Sequence, residues 1–215
     1  MEFPYSLVVF DLDGTLVDSA SDISEAVNRT LVDWSLPRVD EALIRGWIGD
    51  GAQALVASAF AHADRAIDLD QVMPGFMVHY ADCLLLDPTV YPGVVETLEA
   101  LRAHGVELAI CTNKPERFVR PLLEALQLGG YFECIVGGDT LAERKPSAQP
   151  LLHVVAYFGL QPGQCLMVGD SATDLQTAVA AQVPMALVTY GYLRGLDPRS
   201  VPGVLVIDDM RQLLG

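Results

Sequence analysis

The chain has 215 residues, of which 51% are hydrophobic, enough for one large domain or for a core with a smaller companion. Its formal net charge of -15, from 28 acidic and 13 basic residues, argues against nucleic acid and membrane as partners. No apolar run approaches the roughly 20 residues of a membrane helix, and the first residues lack the basic flank and long apolar stretch of a signal peptide.

The first predicted element is a buried strand at residues 7–10, and an interval without a convincing strand follows it. Within that interval, apolar residues recur at helical spacing from Ile23 to Trp34, and again over residues 43–48, 53–63 and 72–85. A single crossover helix would need far fewer residues. We therefore predict a helical cap domain at 16–87, inserted into a core formed by 1–15 and 88–215.

The remaining predicted elements alternate between strand and helix. Apolar runs typical of strands covered on both faces of a parallel sheet occur at 107–111, 134–136, 165–168, 185–188 and 204–207. Helices are predicted at 94–103, 116–126, 151–158 and 175–181, and Pro121 is expected to kink the second of them or to split off its first turn. This order predicts an α/β fold with a doubly wound, mostly parallel, Rossmann-like sheet.

The cysteines give an expectation about the compartment. They lie far apart, without metal-ligand spacing, at Cys83, Cys111, Cys134 and Cys165. Reduced, buried thiols explain this distribution, and a cytoplasmic location is expected from it. The sequence is compatible with a monomer or with a homodimer.

Two carboxylates follow the first predicted strand, in the stretch "VVFDLDGTLVDS". Asp11 and Asp13 are two residues apart, so an extended backbone points them to the same side. Their mutual repulsion raises a pKa unless a cation lies between them, and Mg²⁺ prefers such oxygen ligands. A turn with aspartates at its capping positions is the structural alternative.

A second acidic pair follows another predicted strand, in "VGDSATDL". If a helix begins near Ser171, then Asp170 and Asp174 approach one face close to its N-terminus. In a doubly wound sheet these groups and the first pair would meet beyond the carboxyl ends of the strands. Three or four acids at one edge favour a bound metal ion, although helix capping alone could account for this second pair.

Two further stretches place polar groups after predicted strands. In "AICTNKP", Thr112 and Asn113 offer a hydroxyl, an amide and loop N–H groups that could hold phosphate oxygens, or could simply form a turn. In "ERKPSAQP", Lys145 precedes a proline that disfavours helix, and its ammonium could offset the acids and a phosphate, or could be a solvated surface group.

Together, "DLDGT", Thr112, Lys145 and "GDSATD", each after a separate strand, resemble the four motifs of the haloacid dehalogenase-like phosphohydrolases. The resemblance implies Asp11 as nucleophile and Asp13 as general acid and base. It implies that Thr112 and Lys145 bind the phosphate. It implies that Mg²⁺ is held by the Asp11 carboxylate, the Asp13 backbone carbonyl and Asp170, with Asp174 and Ser171 in support.

Within that family the chain resembles phosphoglycolate phosphatases, in "WIGDGA", "YPGV", "CTNKP", "LLEAL", "VGGD", "MVGDS" and "TYGY". This resemblance implies 2-phosphoglycolate as the small phosphoester substrate. Trp47, Gly49 and Gly51 of "WIGDGA" are expected to form a cap loop over the substrate, with Arg45 as a nearby cation for its carboxylate. A helix-to-helix turn with Trp47 buried is the alternative.

Three positions depart from the pattern of the family. Gln182 replaces a usual glycine, "KPSAQP" alters the spacing after Lys145, and Asp50 stands where asparagine is common and adds negative charge. Sugar-phosphate phosphatases, β-phosphoglucomutases, pyrophosphatases and phosphonatases share most of the motifs, although a phosphonatase would need a cap lysine. A response-regulator receiver domain, a phospho-acceptor signalling module, is the alternative from a different class.

Overall fold

The structure, a computed structural model, describes residues 3–215 and contains eight strands within that part of the chain. They are β1 (Leu7–Phe10), β2 (Val17–Asp18), β3 (Thr89–Val90), β4 (Glu107–Cys111), β5 (Cys134–Val136), β6 (Cys165–Gly169), β7 (Met185–Val188) and β8 (Leu205–Ile207). Six of them form a parallel sheet in the order β5-β4-β1-β6-β7-β8. Strand β1 therefore lies between β4 and β6.

Both faces of this sheet are covered by helices. Along β1, Val8 and Phe10 pack into one hydrophobic cluster with α5 (Val94–Ala103) and α6 (Glu116–Ala125). Leu7 and Val9 pack into a second cluster with α7 (Gln149–Tyr157) and α8 (Ala172–Ala181). Because successive strand residues point to opposite faces, both sets are buried. The predicted doubly wound α/β fold is confirmed.

Four more helices, residues 20–83, form what we call the four-helix segment. They are α1 (Ala20–Asp33), α2 (Glu41–Arg45), α3 (Ala52–His62) and α4 (Leu69–Cys83). The segment lies between β2 and β3, which pair antiparallel with Val17 opposite Val90. This ribbon corrects the expectation that 16–87 lacks a strand, since a two-residue strand carries no periodic signal.

Two local expectations also change. Pro121 does not split α6, which is helical throughout Glu116–Ala125. The carbonyl that loses a helical partner to this proline belongs to Arg117, an exposed residue that water can reach. Helix α8 begins at Ala172, three residues before the predicted start, because Ser171 and Asp174 form a capping box there.

The cysteines agree with the expectation of reduced, buried thiols. All four thiols are free and buried. None of the helices in the described residues combines the length and the hydropathy that crossing a bilayer requires.

Candidate active site

The carboxyl ends of three neighbouring strands bring the predicted residues to one edge of the sheet. Asp11 follows β1, Thr112 follows β4 and Asp170 follows β6. The parallel register extends into these residues: the Asp11 N–H donates to the Val168 carbonyl at 2.9 Å, and the Thr112 N–H donates to the Val136 carbonyl at 2.9 Å. Motifs that are far apart in the sequence therefore meet at a single site.

Three buried carboxylates form what we call the acidic cluster, Asp11, Asp170 and Asp174, in which one oxygen of each residue lies within 4.8 Å of one oxygen of each of the others. The Lys145 ammonium enters this cluster, 2.9 Å from Asp11 Oδ1 and 2.5 Å from Asp174 Oδ1. Three carboxylates thus face one ammonium, which leaves a formal excess of two negative charges. This is the charge that a divalent cation would neutralise.

Burial, together with the neighbouring charges, shifts pKa values within the cluster. Burial raises the pKa of Asp11 to about 6, against the lowering effect of Lys145. Burial, followed by the charges of Asp174 and Asp11, holds the pKa of Asp170 well above its usual range. Burial alone would lower the pKa of Lys145, but the neighbouring Asp11 and Asp174 carboxylates raise it. The cluster therefore needs either protons or a cation, as the sequence analysis expected.

The residues of the cluster fit a divalent metal ion. Asp11 Oδ1 is buried and has no hydrogen-bond partner among the described residues, apart from the ionic contact with Lys145. Asp170 is held in place by the Thr15 hydroxyl at 2.8 Å and the Tyr192 N–H at 2.6 Å. A set of buried anionic oxygen donors with surplus negative charge suits Mg²⁺.

Asp174 connects Lys145 with the start of helix α8. One of its oxygens accepts from Lys145 and the other accepts from the Ser171 hydroxyl at 2.5 Å. It also accepts from the Ser171 N–H at 3.1 Å, which ties the start of α8 to the cluster. Asp174 therefore orients the lysine and the helix N-terminus around the two other carboxylates.

Asp13 lies outside the cluster, in an arrangement that we call the Asp13–Lys114 pair. Its carboxylate accepts from the Lys114 ammonium at 3.0 and 3.3 Å and from the Ser19 hydroxyl at 2.6 Å. The same ammonium donates to the Tyr80 hydroxyl at 2.7 Å, across the gap to helix α4. One carboxylate faces one ammonium here, so the pair is formally neutral.

Lys114 and Tyr80 are site residues that the sequence analysis missed. Burial would lower the pKa of Lys114, but Asp13 and Tyr80 raise it, and burial raises the pKa of Tyr80 to about 12. A signal for Lys114 existed, because it is one of only two lysines and directly follows Thr112 and Asn113. Tyr80 carries no comparable signal, since its spacing on α4 is that of a core residue.

The loop after β4 is organised differently from its prediction. Thr112 is buried at the cavity, and its hydroxyl accepts from the Lys114 N–H at 3.2 Å. The amide of Asn113 donates to the carbonyls of Gly49 and Lys145, each at 3.0 Å. Both amide hydrogens are thus used to join loops, so the predicted phosphate contact of the Asn113 amide is not supported.

A cavity opens between the sheet edge and the four-helix segment. Its lining comprises Asp11, Asp13, Ile23, Ile48, Gly49, Gly51, Ala52, Leu55, Tyr80, Thr112, Asn113, Lys114 and Pro115. Asp11 and Asp13 therefore face the same space as residues of α1, α3 and α4. Lys145 and Asp170 lie behind this surface.

Of the four residues predicted for the cap loop, two line the cavity and two do not. Gly49 and Gly51 line the cavity with φ angles of 128° and 91°, which side chains rarely tolerate. Trp47 is half-buried, packs against His62 and does not line the cavity, so it matches neither the predicted cap contact nor the alternative of a buried Trp47 in full. Arg45 pairs with Asp18 at 3.2 Å and with Glu41 at 3.1 Å, so it does not supply the predicted cation.

The charge of Asp50 is compensated. Its carboxylate accepts from the Thr173 hydroxyl of α8 at 2.7 Å and forms an ion pair with Arg194. These contacts, with the bond from Asn113 to Gly49, hold the loop 47–52 against the sheet edge. The negative charge that the sequence analysis placed near the substrate is thus paired with a cation.

Comparisons with known proteins agree with this geometry. A sequence model of the haloacid dehalogenase-like hydrolase family matches residues 8–188. The chain is 46% identical over 213 residues to phosphoglycolate phosphatase of Pseudomonas putida, covering 97% of this chain and 78% of that protein. It is 45% identical over 214 residues to phosphoglycolate phosphatase of Rhodospirillum rubrum, covering 96% and 88%.

A solved structure extends the similarity to the fold. The crystal structure of a predicted phosphoglycolate phosphatase from Haemophilus somnus superposes with a TM-score of 0.91 at 36% identity, covering 98% of this chain and 97% of that one. The chain therefore belongs to the haloacid dehalogenase-like hydrolase family. It is an enzyme, a phosphoglycolate phosphatase-like phosphatase, and the signalling alternative is set aside.

Proposed function

We propose that the protein hydrolyses 2-phosphoglycolate to glycolate and phosphate, through an aspartyl-phosphate on Asp11 and with Mg²⁺ as cofactor. The placement of Asp11 carries the proposal, because this carboxylate lies at the cavity, in ionic contact with Lys145 and beside Asp170. The substrate is taken from the names of the relatives, phosphoglycolate phosphatases at 45 and 46% identity.

In the first step, an oxygen of Asp11 forms a bond to phosphorus while the ester oxygen leaves. In its protonated form, Asp13 donates the proton to that oxygen as glycolate departs, which is general acid catalysis by a group that faces the same cavity. In the second step, Asp13 takes a proton from a water molecule that attacks phosphorus, and the bond between Asp11 and phosphorus breaks. Phosphate leaves, Asp11 is again a carboxylate, and Asp13 again carries a proton.

Positive groups support these steps. Lys145 keeps the Asp11 carboxylate ionised and close to the transferring group. Asp11 and Asp170, with the Asp13 backbone carbonyl, would hold Mg²⁺, and Asp174 and Ser171 would support them. A bound Mg²⁺ supplies charge neutralisation for the phosphoryl oxygens. The Thr112 hydroxyl would hold one of those oxygens.

The four-helix segment would act as the cap of this site. We assign residues 1–15 and 88–215 to the core and 16–87 to the cap, connected through the β2–β3 ribbon. Ile23, Gly49 and Tyr80 of this segment face the catalytic carboxylates across the cavity. Closure of these residues over a substrate would exclude bulk water during the transfer. Free, buried cysteines are compatible with a cytoplasmic enzyme.

Steady-state kinetics with Mg²⁺ test the proposal. Phosphate release is measured for phosphoglycolate, glucose and glycerol phosphates, a nucleotide and pyrophosphate, and phosphoglycolate is expected to give the highest kcat/KM. Asp11→Asn is expected to lower kcat by about four to six orders of magnitude, as removal of a nucleophile does. A sugar phosphate that ranks above phosphoglycolate would overturn the substrate, and an Asp11→Asn variant with parental kcat would overturn the mechanism.

A further inference from the structure

We propose that the Lys114 ammonium binds the carboxylate of the substrate and so selects carboxylate-bearing phosphoesters. This inference rests on the proposed function and gives the cavity a second anion site besides the phosphate site. It concerns a buried charged residue that the two chemical steps above do not use.

The first support is the charge of the cavity wall. Among the described residues that line the cavity, Lys114 is the one with a cationic side chain, and several of the others are apolar. A carboxylate that enters such a space without a cation loses its hydration and gains no compensating partner. Lys114 is 4% exposed, so its charge acts in a weakly screened environment.

The second support is the position of Lys114 relative to the reaction. Asp13 faces the leaving ester oxygen in the proposed mechanism, and Lys114 Nζ lies 3.0 Å from an oxygen of Asp13. In phosphoglycolate the carboxylate carbon is only two bonds beyond that ester oxygen. The substrate carboxylate must therefore lie near Asp13, where the ammonium is already placed.

The third support is that the ammonium can accept a new partner. Its contacts in the described chain are Asp13 and the Tyr80 hydroxyl, and the second Asp13 contact, at 3.3 Å, is the longest of them. A substrate oxygen can replace that contact without breaking the other two. The 2.7 Å hydrogen bond to the Tyr80 hydroxyl holds the ammonium in place during this exchange of partners.

The other nearby cations are less suitable. Arg45 is paired with Asp18 and Glu41, and Arg194 is paired with Asp50. Arg144 approaches the backbone at Gly51 but is exposed, and it does not line the cavity. Arg144→Gln therefore serves as a matched control that removes a cation near the site.

The test compares phosphoglycolate with 2-hydroxyethyl phosphate, in which a hydroxymethyl group replaces the carboxylate. The measured quantity is the ratio of the two kcat/KM values. Lys114→Gln is expected to reduce the preference for phosphoglycolate by about 10- to 100-fold, as loss of a charged hydrogen bond does. Arg144→Gln is expected to keep the wild-type ratio, and Lys114→Arg, which retains the charge, to keep most of it.

The outcomes separate the two proposals. A wild-type enzyme that uses both substrates equally well would overturn the phosphoglycolate assignment and the role of Lys114 with it. A wild-type enzyme that prefers phosphoglycolate, with a Lys114→Gln variant that keeps the full preference, would overturn only the role of Lys114. A merely structural lysine predicts that second result, with both substrates slowed equally.

A second measurement applies if Lys114→Gln does not fold. The chain has two lysines, Lys114 and Lys145, so ¹⁵Nζ-lysine labelling yields two ammonium signals, which the Lys114→Arg variant assigns. In the Asp11→Asn protein with Mg²⁺, phosphoglycolate is expected to shift the Lys114 signal, and 2-hydroxyethyl phosphate to leave it nearly unchanged. An equal response to both ligands would overturn the proposal.

Discussion

Two neighbouring carboxylates of the same loop lie in opposite charge environments. Asp11 belongs to the acidic cluster, where three carboxylates share Lys145, whereas Asp13 belongs to a neutral pair with Lys114. The side chain of one is directed to the cluster and that of the other to Lys114, although one residue separates them in the sequence.

Because of this difference, one loop can supply two kinds of chemistry. Surplus negative charge in the acidic cluster favours a divalent cation and, with Lys145, suits a group that attacks phosphorus. Asp13, in contact with Ser19 and Lys114, lies outside the acidic cluster and faces the cavity, where it can exchange a proton with the leaving oxygen and with water.

Neutralising Asp13 and neutralising Asp11 should change the free energy of unfolding in opposite directions, and the gap between the two variants is the largest change in stability that we expect. Asp13→Asn leaves the buried Lys114 without its anion and is expected to lower the free energy of unfolding by roughly 3 kcal/mol. Asp11→Asn removes surplus charge and is expected to raise that free energy by about 1–3 kcal/mol without divalent cations. Urea unfolding of both variants in a chelator at neutral pH measures the difference.

The sign of each change is the critical result. If both substitutions destabilised the protein equally in chelator, the charge imbalance between the two environments would be refuted. Asn retains the size of Asp, so cavity formation does not confuse the comparison.

A metal ion should stabilise the wild-type protein through the acidic cluster. At 100 times its dissociation constant, Mg²⁺ is expected to add about 2.7 kcal/mol to the free energy of unfolding. Asp170→Asn removes one carboxylate of the cluster and is expected to lose most of this gain, whereas Arg144→Gln should retain it. Thermal unfolding at increasing Mg²⁺ concentration tests the cluster, and an undiminished gain in Asp170→Asn would argue against it.

A further carboxylate beside the Asp13–Lys114 pair should make stability depend on pH. Asp22 is 1% exposed, accepts from the Asp87 N–H at 2.8 Å through one oxygen and has an unpaired second oxygen. Burial raises the pKa of Asp22 from 3.8 to about 6. The native state thus binds more protons than the unfolded state in this window, so Asp22 costs stability as pH rises from about 4 to 6.

Asp22→Asn should remove this cost. The free energy of unfolding of the variant relative to wild type is expected to increase by at most about 3 kcal/mol between pH 4 and pH 7. Urea unfolding across that range measures it. A constant difference between the two proteins would mean that Asp22 titrates normally in the folded state.

The smallest expected effect concerns the loop 47–52. The ion pair between Asp50 and Arg194 is half-exposed, and its coupling energy in a double-mutant cycle is expected to be about 0.2–1 kcal/mol. Asp50→Asn keeps an acceptor for Thr173, so KM should rise only a few-fold while kcat changes little. A large loss of kcat would instead show that this contact supports the transfer step.

The bounds of single elements and the gathering of the acidic residues follow from the sequence, whereas the pairing of charges at the site does not. Strand β1 and helix α5 have the bounds that the sequence predicts, because a run of apolar residues marks the strand and apolar residues at helical spacing mark the helix. The acidic residues were also predicted to meet, since parallel strands bring their carboxyl ends to one edge. The local sequence thus determined the fold class and which residues gather at the site.

Which cationic side chain pairs with which carboxylate at the site depends on the tertiary structure. The Lys114 ammonium meets an aspartate 101 positions away, and Arg45 meets Asp18 instead of the cavity. Tyr80 reaches the site from a helix whose spacing indicates only a buried face. Such pairings depend on how the four-helix segment packs on the sheet edge, and no local pattern of residues encodes that packing.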